Sequence, residues 1–298
     1  MTPTLVRQHR PHQGGTPRVD ASARARDWAE IQERMLVPLY EAVYERVEAG
    51  AGTRLLGLGC GSGLALLMAT ARGAAVTGVD AGAPERLALA RARLLGDNAR
   101  TSAAPDAGAR LIDGVPADAA DPALPPYNLI TAFQPAGCTA GDYEQLTALL
   151  ESAVPLLGRG HPVALAGWGP PERCATSAVL RVAARLTGSD DPELPFGPRD
   201  LGGTDGWRPA RRDDLEQVAE RAGLKPDGSG RVACPFGYAD INSAVRGLLS
   251  SGLFDAAAGA TDQTQVEKEL EEALHPYLRP DGTVWMPNVF RYVIARKR

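Results

Sequence analysis

The chain has 298 residues, 44% of them hydrophobic and 23% charged, and its 32 Lys and Arg against 36 Asp and Glu leave a formal net charge of −4. That length lies near the roughly 250–300 residues at which one core stops growing, so one domain carrying an insertion is the economical reading. An acidic chain with no clustered run of Lys or Arg has no stripe that would track phosphates, which argues against a nucleic-acid partner, and no run nears the ~18 apolar residues of a membrane span. The four cysteines, Cys60, Cys138, Cys174 and Cys234, stand far apart and match neither a disulfide framework nor a zinc spacing. With no apolar segment among the first residues, a soluble cytoplasmic protein without a metal is expected.

Residues 1–22 are polar and aperiodic and read as a flexible arm, leaving 23–298 as the folded domain. From Asp27 to Val47, Trp28, Ile31, Met35, Leu39, Val43 and Val47 recur at helical spacing, with an interruption near Pro38. Thr53 to Leu58 is then a short apolar run suited to a strand buried on both faces, and Gly59, Cys60, Gly61, Ser62 and Gly63 follow without a spacer. Leu64 to Ala69 are helix formers, and a second apolar run from Ala75 ends at Asp80. This is a βαβ unit in which glycines permit positive φ and bring bare backbone N–H groups to a ligand. Asp80 follows Gly63 by 17 residues, close to the spacing of about 20 at which an acid reaches ribose hydroxyls. An adenosine-containing ligand is expected, but not a dinucleotide. The fingerprint G-x-G-x-x-G requires glycine where Leu64 stands, or, counted from Gly57, where Ser62 stands.

Beyond this unit, Pro84 to Leu95 reads as a helix, 97–108 as a surface loop, and Ala109 to Ile112 as a third strand leading into Asp113 and Gly114. Tyr127 to Phe133 is a fourth strand whose far end, beginning at Gln134, should lie at the reacting edge, because open α/β sheets bind ligands outside the carboxyl ends of their strands. Asp142 to Leu157 is a helix, and a fifth strand follows it and leads into Glu172 and Arg173. His161 sits at the entrance of that strand, away from the reacting edge. Gly188 to Trp207 has the Pro, Gly and Asp load of a long loop, read as a substrate lid. A helix over 210–222, a sixth strand over 230–238, helices over 240–250 and 263–278, and a last strand over 283–295 complete the expectation.

The loop Gly59-Cys60-Gly61-Ser62-Gly63 resembles motif I of the class I S-adenosylmethionine-dependent methyltransferases. The segment from Gly78 to Arg93, GVDAGAPERLALARAR, resembles the one that follows it in that superfamily. Within it the resemblance points to the small-molecule branch, of methyltransferase type 11 or ubiquinone-biosynthesis kind. It implies a Rossmann-like, doubly wound α/β fold with a seven-stranded sheet, N-terminal helices over the cofactor and a helical cap inserted before the last strand. Cap elements fall at about 23–50, 172–210 and 239–280. S-adenosylmethionine is the implied cofactor, with S-adenosylhomocysteine as product. Gly59, Cys60, Gly61, Gly63, Asp80, Ala81, Asp113, Gly114 and Phe133 are the implied binding residues, with Asp118 competing with Asp113 for the adenine amino group. Tyr40, Gln134 and Glu172 are the candidates on the reacting side. The implied activity is O-, N- or C-methylation of a natural-product-like small molecule of secondary metabolism, by a monomer or a homodimer.

Two positions depart from the pattern. Gly57 stands where the superfamily usually has an acid that holds the amino end of the methionine moiety, and Asn128 stands where the fourth strand usually has Asp. The first departure motivates an alternative: an enzyme of the same fold that uses the cofactor pocket for a cyclisation or another non-methylating step.

Overall fold

In the computed structural model, which describes residues 20–96, 109–136, 141–187 and 211–298, the first element is helix α1 (Ala21–Asp27). The Asp20 carboxylate caps it, accepting from the Ser22 and Ala23 N–H groups at 3.0 and 3.2 Å. The helix therefore begins inside the stretch expected to be a flexible arm, because one short acidic side chain ahead of a helix satisfies its first free donors. The path then widens into a π turn (Trp28–Gln32), tightens into a 3-10 turn (Glu33–Leu36) and resumes as α2 (Val37–Arg46). The interruption thus precedes Pro38. That proline is the second residue of α2, where a missing N–H goes unnoticed.

Next come β1 (Arg54–Leu58), α3 (Leu64–Ala71), β2 (Ala75–Asp80), α4 (Pro84–Leu95), β3 (Ala109–Asp113) and β4 (Leu129–Ala136). They are followed by α5 (Asp142–Ala153), β5 (Pro162–Trp168), α6 (Thr176–Leu186), α7 (Asp214–Arg221) and β6 (Leu224–Ala233). The remaining elements are β7 (Phe236–Tyr238), α8 (Ile241–Ser250), α9 (Asp255–Ala260), α10 (Gln263–Leu274), β8 (Val284–Met286) and β9 (Val289–Lys297). Seven strands form one sheet in the order β3-β2-β1-β4-β5-β9-β6. Strands β1 to β5 pair in parallel, and β9 runs antiparallel to both β5 and β6. Alternate residues feed opposite cores. Leu55 packs on one face with Leu66 and Phe133, while Leu56 and Leu58 pack on the other with Leu150 and Val218. A sheet buried on both faces is the expected doubly wound arrangement.

Two prolines redraw the later strands. The sixth strand runs over Leu224–Ala233 rather than 230–238, and Phe236–Tyr238 leaves the large sheet to pair with Val284–Met286. Between the two pieces lies Pro235, which has no N–H for a ladder. Pro287 likewise divides the expected last strand into β8 and β9. The segment between β6 and β9, comprising β7, α8, α9, α10 and β8, is the insertion. It is tied to the N-terminal segment at three points: the Tyr238 hydroxyl donates to Gln32 Oε1 at 2.9 Å, Arg24 pairs with Asp255 at 2.6 Å, and Arg246 pairs with Asp27.

Among the described residues no helix is long and apolar enough to cross a membrane. The loop read over 97–108, the lid read over 188–207, and Cys138 lie outside the described residues.

Candidate functional site

The turn after β1 does what its glycines suggest. Gly59, Gly61 and Gly63 have φ of 59°, 55° and 80°, values that any side chain would make strained. Gly63 also has no room for one, since an added Cβ would begin 2.9 Å from Ala90 Cβ on α4. At the carboxyl end of β2, the Asp80 carboxylate accepts from the Gly61 N–H at 2.7 Å, which joins the acid and the loop into one concave edge. Burial raises the Asp80 pKa above the usual aspartate range, and the Gly61 N–H pulls partly the other way. Asp113 is Asp80's register partner on β3 and is exposed at the sheet's edge. Its rival Asp118 is otherwise engaged, accepting from the Val115 N–H at 2.9 Å with its carboxylate packed against bare Gly114. Ala81 is exposed beside Asp80, and the Gly114 N–H donates to the Asp80 carbonyl at 3.3 Å.

A cavity of about 30 Å³, room for a water molecule or two, lies between this loop and the N-terminal segment. Gly59, Cys60, Gly61, Phe133, Gln134 and Tyr40 all line it, so the structure brings together candidates drawn from three distant stretches. Tyr40 is 3% exposed, with its ring centroid 4.9 Å from that of Phe133, and Tyr44 stacks edge-on to the same ring at 5.5 Å. Burial, reinforced by Glu33, holds the Tyr40 phenol well above its ordinary pKa, so at neutral pH it is a proton donor and not a base. Burial, with Asp80 adding to it, pushes the Cys60 thiol up to about 12, which keeps it un-ionised and unreactive. Gln134 sits at the end of β4 beside Gly59, where an added Cβ would begin 3.2 Å from its Oε1.

Glu172 is not brought to the cavity. It is exposed in the 3-10 turn Pro171–Arg173 and is absent from the cavity wall. Asn128 lies at the opposite end of the sheet, where Oδ1 accepts from the Arg54 N–H at 2.7 Å and Nδ2 donates to the Gly52 carbonyl at 2.9 Å. That departure from the superfamily pattern is a strut between β1 and β4 and leaves the site untouched. Gly57 is different. An added Cβ there would begin 2.8 Å from Leu66 Cδ2, and at Gly78, its register partner on β2, 2.5 Å from Leu66 Cδ1. One leucine of α3 lies across both glycines, so a side chain at Gly57 would have to displace Leu66.

The N-terminal segment supplies residues that helical periodicity does not reveal. Glu33, 3% exposed, accepts from the Ser62 hydroxyl and, at 2.7 Å, from Arg93 Nη1. It also faces the start of α3, with the Leu64 N–H 3.4 Å from Oε1, where negative charge is favoured. Trp28 lines the same wall beneath the Arg86 guanidinium, which lies 4.6 Å from the ring centroid and donates to the Ser250 carbonyl at 2.6 Å. The sequence carries one trace of this. Arg86, Ala90 and Arg93 fall on a single helical stripe of α4, a polar seam beside small residues.

A parallel sheet with an antiparallel seventh strand, a glycine turn after its first strand and an acid after its second has clear structural relatives. An S-adenosylmethionine-dependent methyltransferase from Thiobacillus denitrificans, in complex with S-adenosylhomocysteine, aligns with a TM-score of 0.51 at 15% identity, over 95% of this chain and 99% of that one. The fold is that of the class I S-adenosylmethionine-dependent methyltransferases. The YcgJ protein from Bacillus subtilis aligns with a TM-score of 0.50 at 15% identity, over 87% of this chain and 97% of that one. No protein-family model matches the chain, and no curated protein matches it in sequence.

Proposed function

We propose that the chain binds S-adenosylmethionine and transfers its methyl group to O, N or C of a small, natural-product-like acceptor, releasing S-adenosylhomocysteine. The observation that carries this reading is the joined edge of Gly61 and Asp80: backbone held at positive φ, bare of any side chain of its own, with a carboxylate 2.7 Å from its N–H. In this reading Asp80 accepts from ribose hydroxyls, Asp113, its register partner on the next strand, accepts from the adenine amino group, and the ligand lies against the main chain of Gly59 to Gly63, supported by the register and the positive φ values there.

The cofactor supplies a methyl group on a sulfonium, whose transfer needs no covalent enzyme intermediate. The protein's own task is to align and to exclude water, and alignment alone can be worth roughly 7–11 kcal/mol. Phe133, Tyr40 and Leu36 give the cavity an apolar side, and Gln134 places an amide at the end of β4, where an acceptor is to be oriented. The N-terminal segment lines the cavity through Trp28, Glu33, Leu36 and Tyr40, and the insertion is tied to that segment from outside. Incubating the full chain with methyl-labelled cofactor and a panel of hydroxyl, amine and activated-carbon acceptors tests the reading. Label is expected in product. Acceptor conversion with no label transferred would refute methylation and favour a cyclase-like use of the same pocket.

A further inference from the structure

We propose that Glu33 and Trp28, presented together by the π turn, form the seat for the zwitterionic amino-acid end of the cofactor; this rests on the cofactor reading above. The two oxygens of Glu33 are unequally used. Oε2 takes the Ser62 hydroxyl and Arg93, whereas Oε1 has only the Leu64 N–H at 3.4 Å. Oε1 lies 3.6 Å from the point where a side chain on Gly61 would begin, and Trp28 Nε1 lies 3.4 Å from that same point. That indole nitrogen is buried and has no hydrogen-bond partner among the described residues. An acceptor with one long bond and a donor with no partner among the described residues therefore lie against the same glycine backbone.

A buried polar group left unpaired is costly, so the Trp28 N–H calls for an acceptor, and the weakly engaged Glu33 oxygen beside it suits a donor on the same ligand. An α-amino acid terminus is such a ligand: its ammonium suits the Glu33 carboxylate, and its carboxylate suits the Trp28 N–H. The Arg86 guanidinium, stacked on the Trp28 ring, adds a cation on the carboxylate's side and sets the polarity of the seat. The first strand supplies no carboxylate here, because its residue 57 is glycine and Leu66 occupies the space beside it. The acid comes instead from a segment 24 residues earlier in the chain, between Glu33 and Gly57.

The test compares calorimetric binding of S-adenosylhomocysteine with that of 5′-methylthioadenosine, which keeps the nucleoside and lacks the amino-acid end. Glu33→Gln retains an acceptor for Ser62 and removes the charge. It is expected to weaken S-adenosylhomocysteine by about ten- to a hundredfold while leaving methylthioadenosine unchanged. Trp28→Phe removes only the N–H and should narrow the gap between the two ligands in the same direction, and it decides the matter if Glu33→Gln does not fold. Equal weakening of both ligands would mean that Glu33 merely holds the loop, and no weakening of either would leave the seat without support; each result overturns the proposal. A wild-type chain that binds neither ligand overturns the cofactor reading itself, an outcome distinct from either.

Discussion

Replacing Gly57 by alanine tests whether the packing of α3 on the sheet bars a side chain where the superfamily usually has its acid. The new Cβ would begin 2.8 Å from Leu66 Cδ2, well inside the optimal carbon–carbon separation of about 3.5–4.0 Å. Leu66 has no easy escape. It is 2% exposed, and its Cδ1 fills the second notch, at Gly78. Overpacking of this kind costs about 1–3 kcal/mol, and the reduced freedom of the unfolded chain offsets about 0.4–1 of it, leaving a net loss centred on about 1.3 and no more than about 2.6 kcal/mol. Leu66→Ala alone opens a cavity and should cost about 2–5 kcal/mol. In the double variant the new methyl occupies space that the leucine has vacated, so the combined loss should fall short of the sum by about 1 kcal/mol. Urea unfolding of the four proteins, followed by tryptophan fluorescence without ligand, measures all three quantities. Gly57→Ala at or above wild-type stability, or costs that simply add, would refute the reasoning. Gly57→Asp should be worse still, by several kcal/mol, because it buries an unpaired carboxylate as well.

Asp80→Asn keeps an acceptor for the Gly61 N–H but removes the charge that holds ribose hydroxyls, so affinity for S-adenosylhomocysteine should fall by about one to two orders of magnitude in calorimetry. Because folding raises the Asp80 pKa, the ionised carboxylate costs stability above its folded pKa, and that cost is relieved as pH falls through it. Wild-type affinity should therefore begin to fall with decreasing pH at a higher pH than an ordinary aspartate would give, and Asp80→Asn should abolish that dependence. Arg93→Ala strands the Glu33 carboxylate, which is paired with Arg93 Nη1 at 2.7 Å, and also removes the bond from Arg93 Nη2 to the Ala29 carbonyl at 3.0 Å. Thermal melting should show a loss of about 3–5 kcal/mol, partly recovered when Glu33→Gln is added; an unchanged melt would mean that the pair contributes nothing.

Much of the molecule was legible in the sequence because the relevant signals are local. Short apolar runs such as Thr53–Leu58 fit strands buried on both faces, Gly59, Gly61 and Gly63 announced a backbone turn of positive φ, and Asp80 lay at the end of its strand, as the spacing required. The prolines carry a local signal that periodicity does not show. Pro235 and Pro287 each end a run of ladder pairing, so the apolar residues on either side belong to different sheets although they look continuous in sequence.

What only the tertiary structure decided is the other wall of the site. A period of 3.6 places Trp28 on the apolar stripe and Glu33 well away from it. In a π turn, residues five apart lie one above the other, and the Glu33 N–H donates to the Trp28 carbonyl, so both side chains reach the same loop. The vacancy at Gly57 was visible in the sequence, but its meaning was not, because the leucine that fills it belongs to α3 and reaches two strands at once. Sequence by itself determined which strand and turn make one half of the cavity and which acid bonds that turn, since those residues are neighbours along the chain. Long-range packing decided which charge completes it, since Glu33, Ser62 and Arg93 meet only when three separate elements are folded together.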